Sequence, residues 1–219
     1  MVYPIYDEIL SSGSAFDALS SVLSVYCDPA EASASASVLL SRFGSFAAVL
    51  EASPAELGAV VSPLMAKNIS SFLPLIRRYE RDRALNSEQI ANRKDLERFC
   101  LSLVLGKRVE EFHVVCVNAQ CRLLGTRLIS SGSLSDVSAY PRLVVQAALD
   151  MNAHSVFFCH NHPGGTLAPS SEDIATTLQL QRLLSGLDIL VLDHMIIAGS
   201  SAYSMAQHGD LEFGVRGRR

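Results

Sequence analysis

The spacing of apolar residues changes near residue 90, and this change constrains the fold more than any other feature of the sequence. Over residues 16–26, 32–43 and 46–50, apolar side chains recur with helical spacing, separated by serines and prolines. Beyond residue 90, short apolar runs of strand length alternate with further helical segments. We therefore expect two domains, a small all-α domain at 1–90 and an α/β domain at 91–219.

The first half contains a recognisable helix start. Ser53 is expected as the N-cap, Pro54 as the first helical residue and Glu56 as the partner in a capping box. Another helix is expected to open at Ser62-Pro63, to run through Leu75 and to end in the charged segment 77–86. The charged stretch after it, roughly residues 77–90, is the candidate linker between the two domains.

The second half alternates between strand and helix patterns. Strands are predicted at 110–117, 121–129, 154–159, 189–198 and around Tyr203, and helices at 95–105, 141–151 and 172–184. Asn118-Ala119-Gln120 is the expected turn of a hairpin between the first two strands. Because a hairpin precedes strand–helix alternation, the pattern predicts an α/β sandwich around a mixed sheet.

The residues that suggest chemistry lie where one apolar strand ends. His160 and His162 are two residues apart, so in an extended chain both imidazoles lie on the same face while Asn161 points away. Pro163 and two glycines then turn the chain, and Ser170 begins a helix whose first turn contains Asp173. Two imidazoles and one carboxylate, with a fourth position open, are the ligands of a catalytic zinc site.

Each part of this pattern has an ordinary structural alternative. Two histidines separated by one residue also occur in polar loops, and Ser170 with Asp173 could simply form a capping box. The two glycines could form an ordinary turn. Because all three features follow one another at short, fixed spacing, the combination favours metal binding.

The order His-x-His, seven residues, Ser, two residues, Asp resembles the metal motif of the JAB/MPN (JAMM) metallopeptidase superfamily. The fuller string HNHPGG…PSSED is similar to its RadC branch, as are Pro141-Arg142 and Leu192-Asp193-His194. The resemblance covers about residues 91–207, and the N-terminal half is similar to the helix-hairpin-helix-like domain of RadC-type proteins. It implies a cytidine-deaminase-like sandwich for the C-terminal domain.

The resemblance also implies roles for individual residues. His160, His162 and Asp173 would bind Zn²⁺, and Ser170 would support the reacting oxyanion. The family's catalytic glutamate falls on Glu110, with the neighbouring Glu111 as the alternative because a shift of one residue exchanges their faces. The implied reaction is hydrolysis of a peptide or isopeptide bond in a protein or peptide that the sequence does not specify.

Four other histidines lie outside the motif. His194 belongs to the Leu-Asp-His element, and we expect it to be structural or to support a ligand rather than to bind metal. His154 and His208 are expected at the surface or in the core. His113 alternates with Phe112 on a predicted strand and is expected to pack there.

Charge and loop sequence argue against nucleic-acid binding. Residues 1–90 carry 6 Lys and Arg against 10 Asp and Glu, and residues 91–219 carry 12 of each, so neither half has the basic surface that phosphate binding requires. The Gly-x-Gly hairpin of RadC-type domains is replaced by the segment 60–64, where Pro63 removes an amide donor. A DNA repair accessory protein with a structural or vestigial zinc site remains the alternative function.

Two further classes are less consistent with the sequence. A zinc deaminase would need H-x-E and P-C-x-x-C, and neither is present. No secretory signal and no apolar run long enough to span a bilayer is visible, so we expect a cytoplasmic protein. The five cysteines form no C-x-x-C pair, which is typical of reduced, buried thiols.

Overall fold

The computed structural model of the protein describes residues 13–84, 89–132 and 140–211. By the density of its internal contacts the chain divides into two compact units, Met1–Ile76 and Arg77–Arg219. The first five helices are α1 (Ala15–Leu23), α2 (Pro29–Phe43), α3 (Phe46–Glu51), α4 (Pro54–Gly58) and α5 (Pro63–Ala84). The division between the units falls within α5.

The first unit is held together by its own buried apolar cluster. Leu19, Leu23, Leu39 and Leu57 are fully or almost fully buried in it, on helices that begin with side-chain caps. The expected capping box of α4 is confirmed, since the Ser53 amide donates to Glu56 over 2.8 Å and the Glu56 amide donates to Ser53 Oγ over 3.3 Å. These caps satisfy amides that the first helical turn leaves without partners.

The second unit is an α/β sandwich. Its elements are α6 (Arg93–Val104), β1 (Glu111–Val117), β2 (Leu123–Ser131), α7 (Tyr140–Asp150), β3 (Ser155–Asn161), α8 (Ser171–Ser185), β4 (Leu190–Ala198), β5 (Ser201–Ser204) and α9 (Met205–His208). The sheet order is β2-β1-β3-β4-β5, with β3 and β4 parallel and the other neighbours antiparallel. The expected fold class and mixed sheet are therefore confirmed.

Alternation along the central strands buries both faces of the sheet. Phe158 of β3 packs with α7 and α8 on one face, whereas Cys159 packs with α6 on the other. His160 follows in the same alternation, so its ring shares the face of Phe158. The histidine motif therefore lies on the side of the sheet that α8 covers.

The helix α5 ends within the charged segment, as expected, since it continues as far as Ala84. Residues 85–88 lie outside the described residues, and the role of 77–90 as a linker remains a prediction. Arg78 and Asp82 form an ion pair of 2.7 Å at the i,i+4 spacing that supports a helix. In the described part of the chain, no helix combines the length and apolar character needed to cross a bilayer.

Candidate metal centre

His160 and His162 converge at the end of β3. Pairing with β4 continues one residue past the strand, because the His162 amide donates to the Ile197 carbonyl over 2.8 Å. The backbone therefore stays extended through both histidines, and their rings remain on one face. Their Nε2 atoms lie 2.7 Å apart, and His160 is only 5% exposed.

Asp173 completes the group from the first turn of α8. Its Oδ1 lies 3.3 Å from His160 Nε2, and its Oδ2 lies 3.4 Å from His162 Nε2. Ser170 is the N-cap of α8 and forms a capping box with Asp173. Within residues 13–84, 89–132 and 140–211, these three side chains are the one group of His, Cys, Asp and Glu whose ligand atoms all lie within 4.8 Å of each other.

A chain of hydrogen bonds behind His160 assigns its tautomer. Thr177 Oγ1 donates its single hydrogen to the Asp173 carbonyl over 2.6 Å, so it accepts from His194 Nδ1, which is also 2.6 Å away. His194 is 1% exposed, and burial lowers its pKa well below the usual value, which keeps the ring neutral. His194 Nε2 is therefore an acceptor.

In the neutral form of each ring, the same reasoning places the hydrogen of His160 and of His162 on Nδ1 and leaves Nε2 without one. His160 Nδ1 lies 2.7 Å from His194 Nε2 and must be the donor of that bond. His162 Nδ1 lies 2.6 Å from the Thr166 carbonyl and must donate to it. Each ring then presents a lone pair at Nε2 towards the other ring and towards the Asp173 carboxylate.

Acceptor atoms packed this closely repel each other unless a cation lies among them. Two imidazole lone pairs and a carboxylate make a donor set that suits a divalent transition metal. Burial acts to raise the pKa of Asp173, but the pKa lies well below its usual value because the carboxylate lies beside His160 and accepts hydrogen bonds from the Ser170 hydroxyl and amide. The carboxyl group is therefore ionised, as a metal ligand must be.

Glu110 and Glu111 lie on opposite faces of the sheet. Glu111 is 5% exposed and accepts hydrogen bonds from Lys107 over 2.7 Å and from His113 over 3.0 Å. Glu110 is exposed and shares the face of Phe112, whose ring stacks on His160 at 6.3 Å between centroids. Burial, with smaller contributions from the charges of Asp173 and Glu110, raises the pKa of Tyr140, so both carboxylates lie near that ring.

Comparisons with known proteins indicate the family to which this chain is similar. A family model described as a RadC-like JAB domain matches residues 90–210. A UPF0758 protein of Bordetella bronchiseptica is 35% identical over 175 residues, which is 79% of this chain and 78% of the relative. UPF0758 proteins of Janthinobacterium sp. and Pseudomonas fluorescens are each 32% identical over 175 residues, covering 79% and 78% of this chain and 78% and 77% of the relatives.

The chain belongs to the RadC-like JAB family. The family match contains the whole candidate centre, from Glu110 to His194. The matches to the relatives are longer than the second unit, so the similarity reaches into the N-terminal helices.

Within the RadC-like domain, Ser170 contacts the centre through Asp173. Its hydroxyl donates to Asp173 Oδ2 over 2.7 Å, and its own amide donates to the same oxygen over 2.7 Å. The Asp173 amide returns a bond to Ser170 Oγ over 3.1 Å. The capping box that begins α8 therefore also orients Asp173, beside His160 and His162.

The other histidines of this family member do not converge on the centre, except for His194. His154 is exposed and bonded to Ser155, and His208 stacks on Tyr203 at 4.0 Å between centroids. His113 is buried beside Glu111 on the opposite face. His194 contacts His160 from behind, which agrees with the supporting role expected for it.

Two residues of the RadC-like centre were not identified from the sequence. Thr177 lies four residues after Asp173, a spacing that places both on one face of a helix and could have identified it. Asn161 lies between the two ligands and was expected only to point away from them. No pattern in the sequence indicates what the Asn161 side chain contacts.

Proposed function

We propose that this protein is a zinc-dependent hydrolase of peptide or isopeptide bonds. The observation that carries the proposal is the convergence of two imidazole Nε2 atoms and a carboxylate on one point. Membership of the RadC-like JAB family supports the same ligand set. The hydrolytic role of the centre is inferred from this donor set and from the carboxylate that lies beside it.

Zinc is the ion that the donor set favours. Two imidazoles and one carboxylate with an open position are typical of catalytic zinc sites, although the same set also binds Fe²⁺ in oxygenases. When bound, the zinc ion lowers the pKa of water to about 7 and polarises a substrate carbonyl. His160, His162 and Asp173 would hold the ion.

The remaining steps belong to residues of the chain. Glu110 lies on the face of His160, and we assign it the transfer of the water's proton to the leaving amine. The Ser170 hydroxyl donates to Asp173 in the resting arrangement, and a rotation about its C–O bond can redirect that hydrogen towards the oxyanion of the substrate. Ser170 would thus orient a ligand first and stabilise developing charge later.

Cleavage of a defined peptide mixture tests this function. The zinc-loaded protein would be incubated with tryptic peptides and with isopeptide-linked peptides, and new amino termini would be identified by mass spectrometry. We expect cleavage by the wild type and by the His154→Ala control, none by His160→Ala, and only slow residual cleavage by Glu110→Gln. Equal cleavage by Glu110→Gln and the wild type would refute the proposed mechanism.

A further inference from the structure

The antiparallel ladder between β1 and β3 ends beside the metal centre in an unusual way. Its last backbone pair is Phe112 opposite His160. One residue further along, the Glu111 amide donates to the side chain of Asn161, at Oδ1, over 2.9 Å. The asparagine side chain therefore continues the pairing of β1 where the backbone of β3 does not.

The other half of the Asn161 amide binds the same segment of chain. Its Nδ2 donates to the Val109 carbonyl over 3.0 Å and to the Lys107 carbonyl over 3.4 Å. Asn161 is only 4% exposed. Water therefore has little access to these backbone groups and could not easily replace the hydrogen bonds of the amide. One amide thus holds residues 107, 109 and 111 together.

The residue between the two closest contacts is Glu110. On its other side, the Glu110 carbonyl accepts a hydrogen bond from the Gly132 amide over 2.8 Å. The backbone on both sides of Glu110 is therefore fixed, by Asn161 from the β3 side and by Gly132 from the β2 side. The Glu110 side chain itself is exposed, and alternation along the strand places it on the face of Phe112 and His160.

We propose that Asn161 is a positioning residue that sets the distance between Glu110 and the metal centre. This inference rests on the proposed function, in which Glu110 transfers the proton. Asn161 lies between His160 and His162. The end of β3 therefore directs two of the proposed ligands to one face, while the Asn161 side chain between them fixes the backbone on either side of Glu110. A displacement of about 1 Å at such a residue can lower the rate about 100-fold.

Asparagine is the side chain that this role requires. Both an acceptor for the Glu111 amide and a donor for the Val109 carbonyl are needed, and an amide offers both. Asn161→Asp keeps the shape and the acceptor but places a carboxylate against a carbonyl, whereas Asn161→Ala removes both contacts. Asn118 is a matched control in the same unit, since its Oδ1 accepts from the Gln120 and Arg122 amides over 2.9 and 3.0 Å in the β1–β2 turn.

Hydrogen–deuterium exchange on the full-length, zinc-loaded protein tests the positioning without any substrate. We expect backbone exchange in residues 107–111 to be about tenfold faster in Asn161→Asp and Asn161→Ala, because buried hydrogen bonds are lost. We expect Asn118→Ala to leave that segment unchanged. Zinc affinity should stay within about threefold of the wild type in all three variants, because no ligand is altered. Unchanged exchange in both Asn161 variants would overturn the proposal.

A double-mutant cycle on the peptide cleaved by the wild type tests whether Asn161 acts through Glu110. We expect Asn161→Ala to lower kcat about 100-fold with KM nearly unchanged. Combined with Glu110→Gln, it should lower kcat no further, since the residue that it positions is already disabled. Additive losses would overturn the proposal. If the wild type cleaves no peptide, the proposed function fails, while the exchange experiment still decides the role of Asn161.

Discussion

At the scale of single residues, the candidate centre depends on which ring nitrogens carry hydrogen. Thr177 donates to a backbone carbonyl, so His194 must donate to Thr177 and accept from His160. Each bond in this series determines the direction of the next. The consequence is that His160 presents a lone pair to the metal position before any ion binds, which removes the cost of choosing a tautomer.

Removing the first bond of this series should weaken metal binding. Thr177→Val keeps the shape of the side chain but deletes the hydroxyl that accepts from His194. We expect zinc affinity to fall about tenfold, the lower end of the effect seen when a partner of a ligating histidine is removed. Competition with a chromogenic chelator measures this, with Thr176→Val as the control. Equal affinity in the two variants would show that the hydrogen-bond series does not act on the metal.

Asp173 and Glu110 should divide binding and catalysis between them. Asp173→Ala deletes a carboxylate that lies 3.3 Å from His160 Nε2, so we expect a lower zinc content. Glu110→Gln should retain zinc and lose hydrolysis, because an amide cannot accept the water's proton. Metal analysis and the cleavage assay on both variants measure the two effects. Loss of zinc from Glu110→Gln would instead make Glu110 a ligand.

Much of the centre could be predicted from local sequence, and the remainder could not. His160, His162 and Asp173 lie within a short stretch whose spacing alone places two rings on one face and an acid on the first turn of a helix. The contact between Thr177 and His194 and the contacts of Asn161 with residues 107–111 arise only from tertiary packing. Asn161 contacts a segment about fifty residues earlier in the chain, which no local spacing encodes.

At the scale of secondary-structure elements, the cap of α8 links helix formation to the metal centre. The same capping box begins α4 in the first unit, with Ser53 in the place of Ser170. The two caps make similar contacts with the backbone. They differ in that the acid bonded to Ser170 is a candidate metal ligand.

Matched substitutions separate these two roles. Ser170→Ala and Ser53→Ala should each lower the stability of their own unit by about 1 kcal/mol, the usual cost of losing an N-cap. Only Ser170→Ala should also weaken zinc binding, because its hydroxyl donates to Asp173 over 2.7 Å. Thermal unfolding and zinc titration measure the two effects. Equal zinc affinity in the two variants would show that, without substrate, Ser170 acts only as a helix cap.

Element type was easier to predict than element ends. The strands and helices of the second unit occur in the predicted order, because their periodicity reflects burial on one or both faces. The end of α5 was expected only somewhere within the charged segment, because apolar periodicity stops near residue 76 while the helix continues to Ala84. Such a stretch is stabilised by pairs such as Arg78 with Asp82 rather than by an apolar face.

At the scale of the whole molecule, each unit buries its own apolar clusters. The first unit packs around Leu39 and Leu57, and the second buries residues on both faces of its sheet. The expected boundary at residues 90 and 91 remains a prediction, while the two compact units divide at Ile76 and Arg77, where the charged stretch begins.

Charge across the whole chain predicts weak binding to DNA. The formal net charge is −4, and Arg78 on α5 is already paired with Asp82. Paired arginines release few counterions, so we expect dissociation constants of about 10⁻⁴ M or weaker at physiological salt. A salt titration with duplex and single-stranded DNA measures this. A dissociation constant below about 1 μM that is lost on changing residues 55–70 would favour the DNA accessory function instead.

The metal content of the purified full-length protein tests the proposed centre most directly. Elemental analysis should find close to one zinc ion per chain in the wild type and in His154→Ala, whose imidazole is exposed and bonded to Ser155. His160→Ala should contain little zinc, because one of the three converging ligands is removed. Iron in place of zinc, or zinc retained in full by His160→Ala, would contradict the proposed centre.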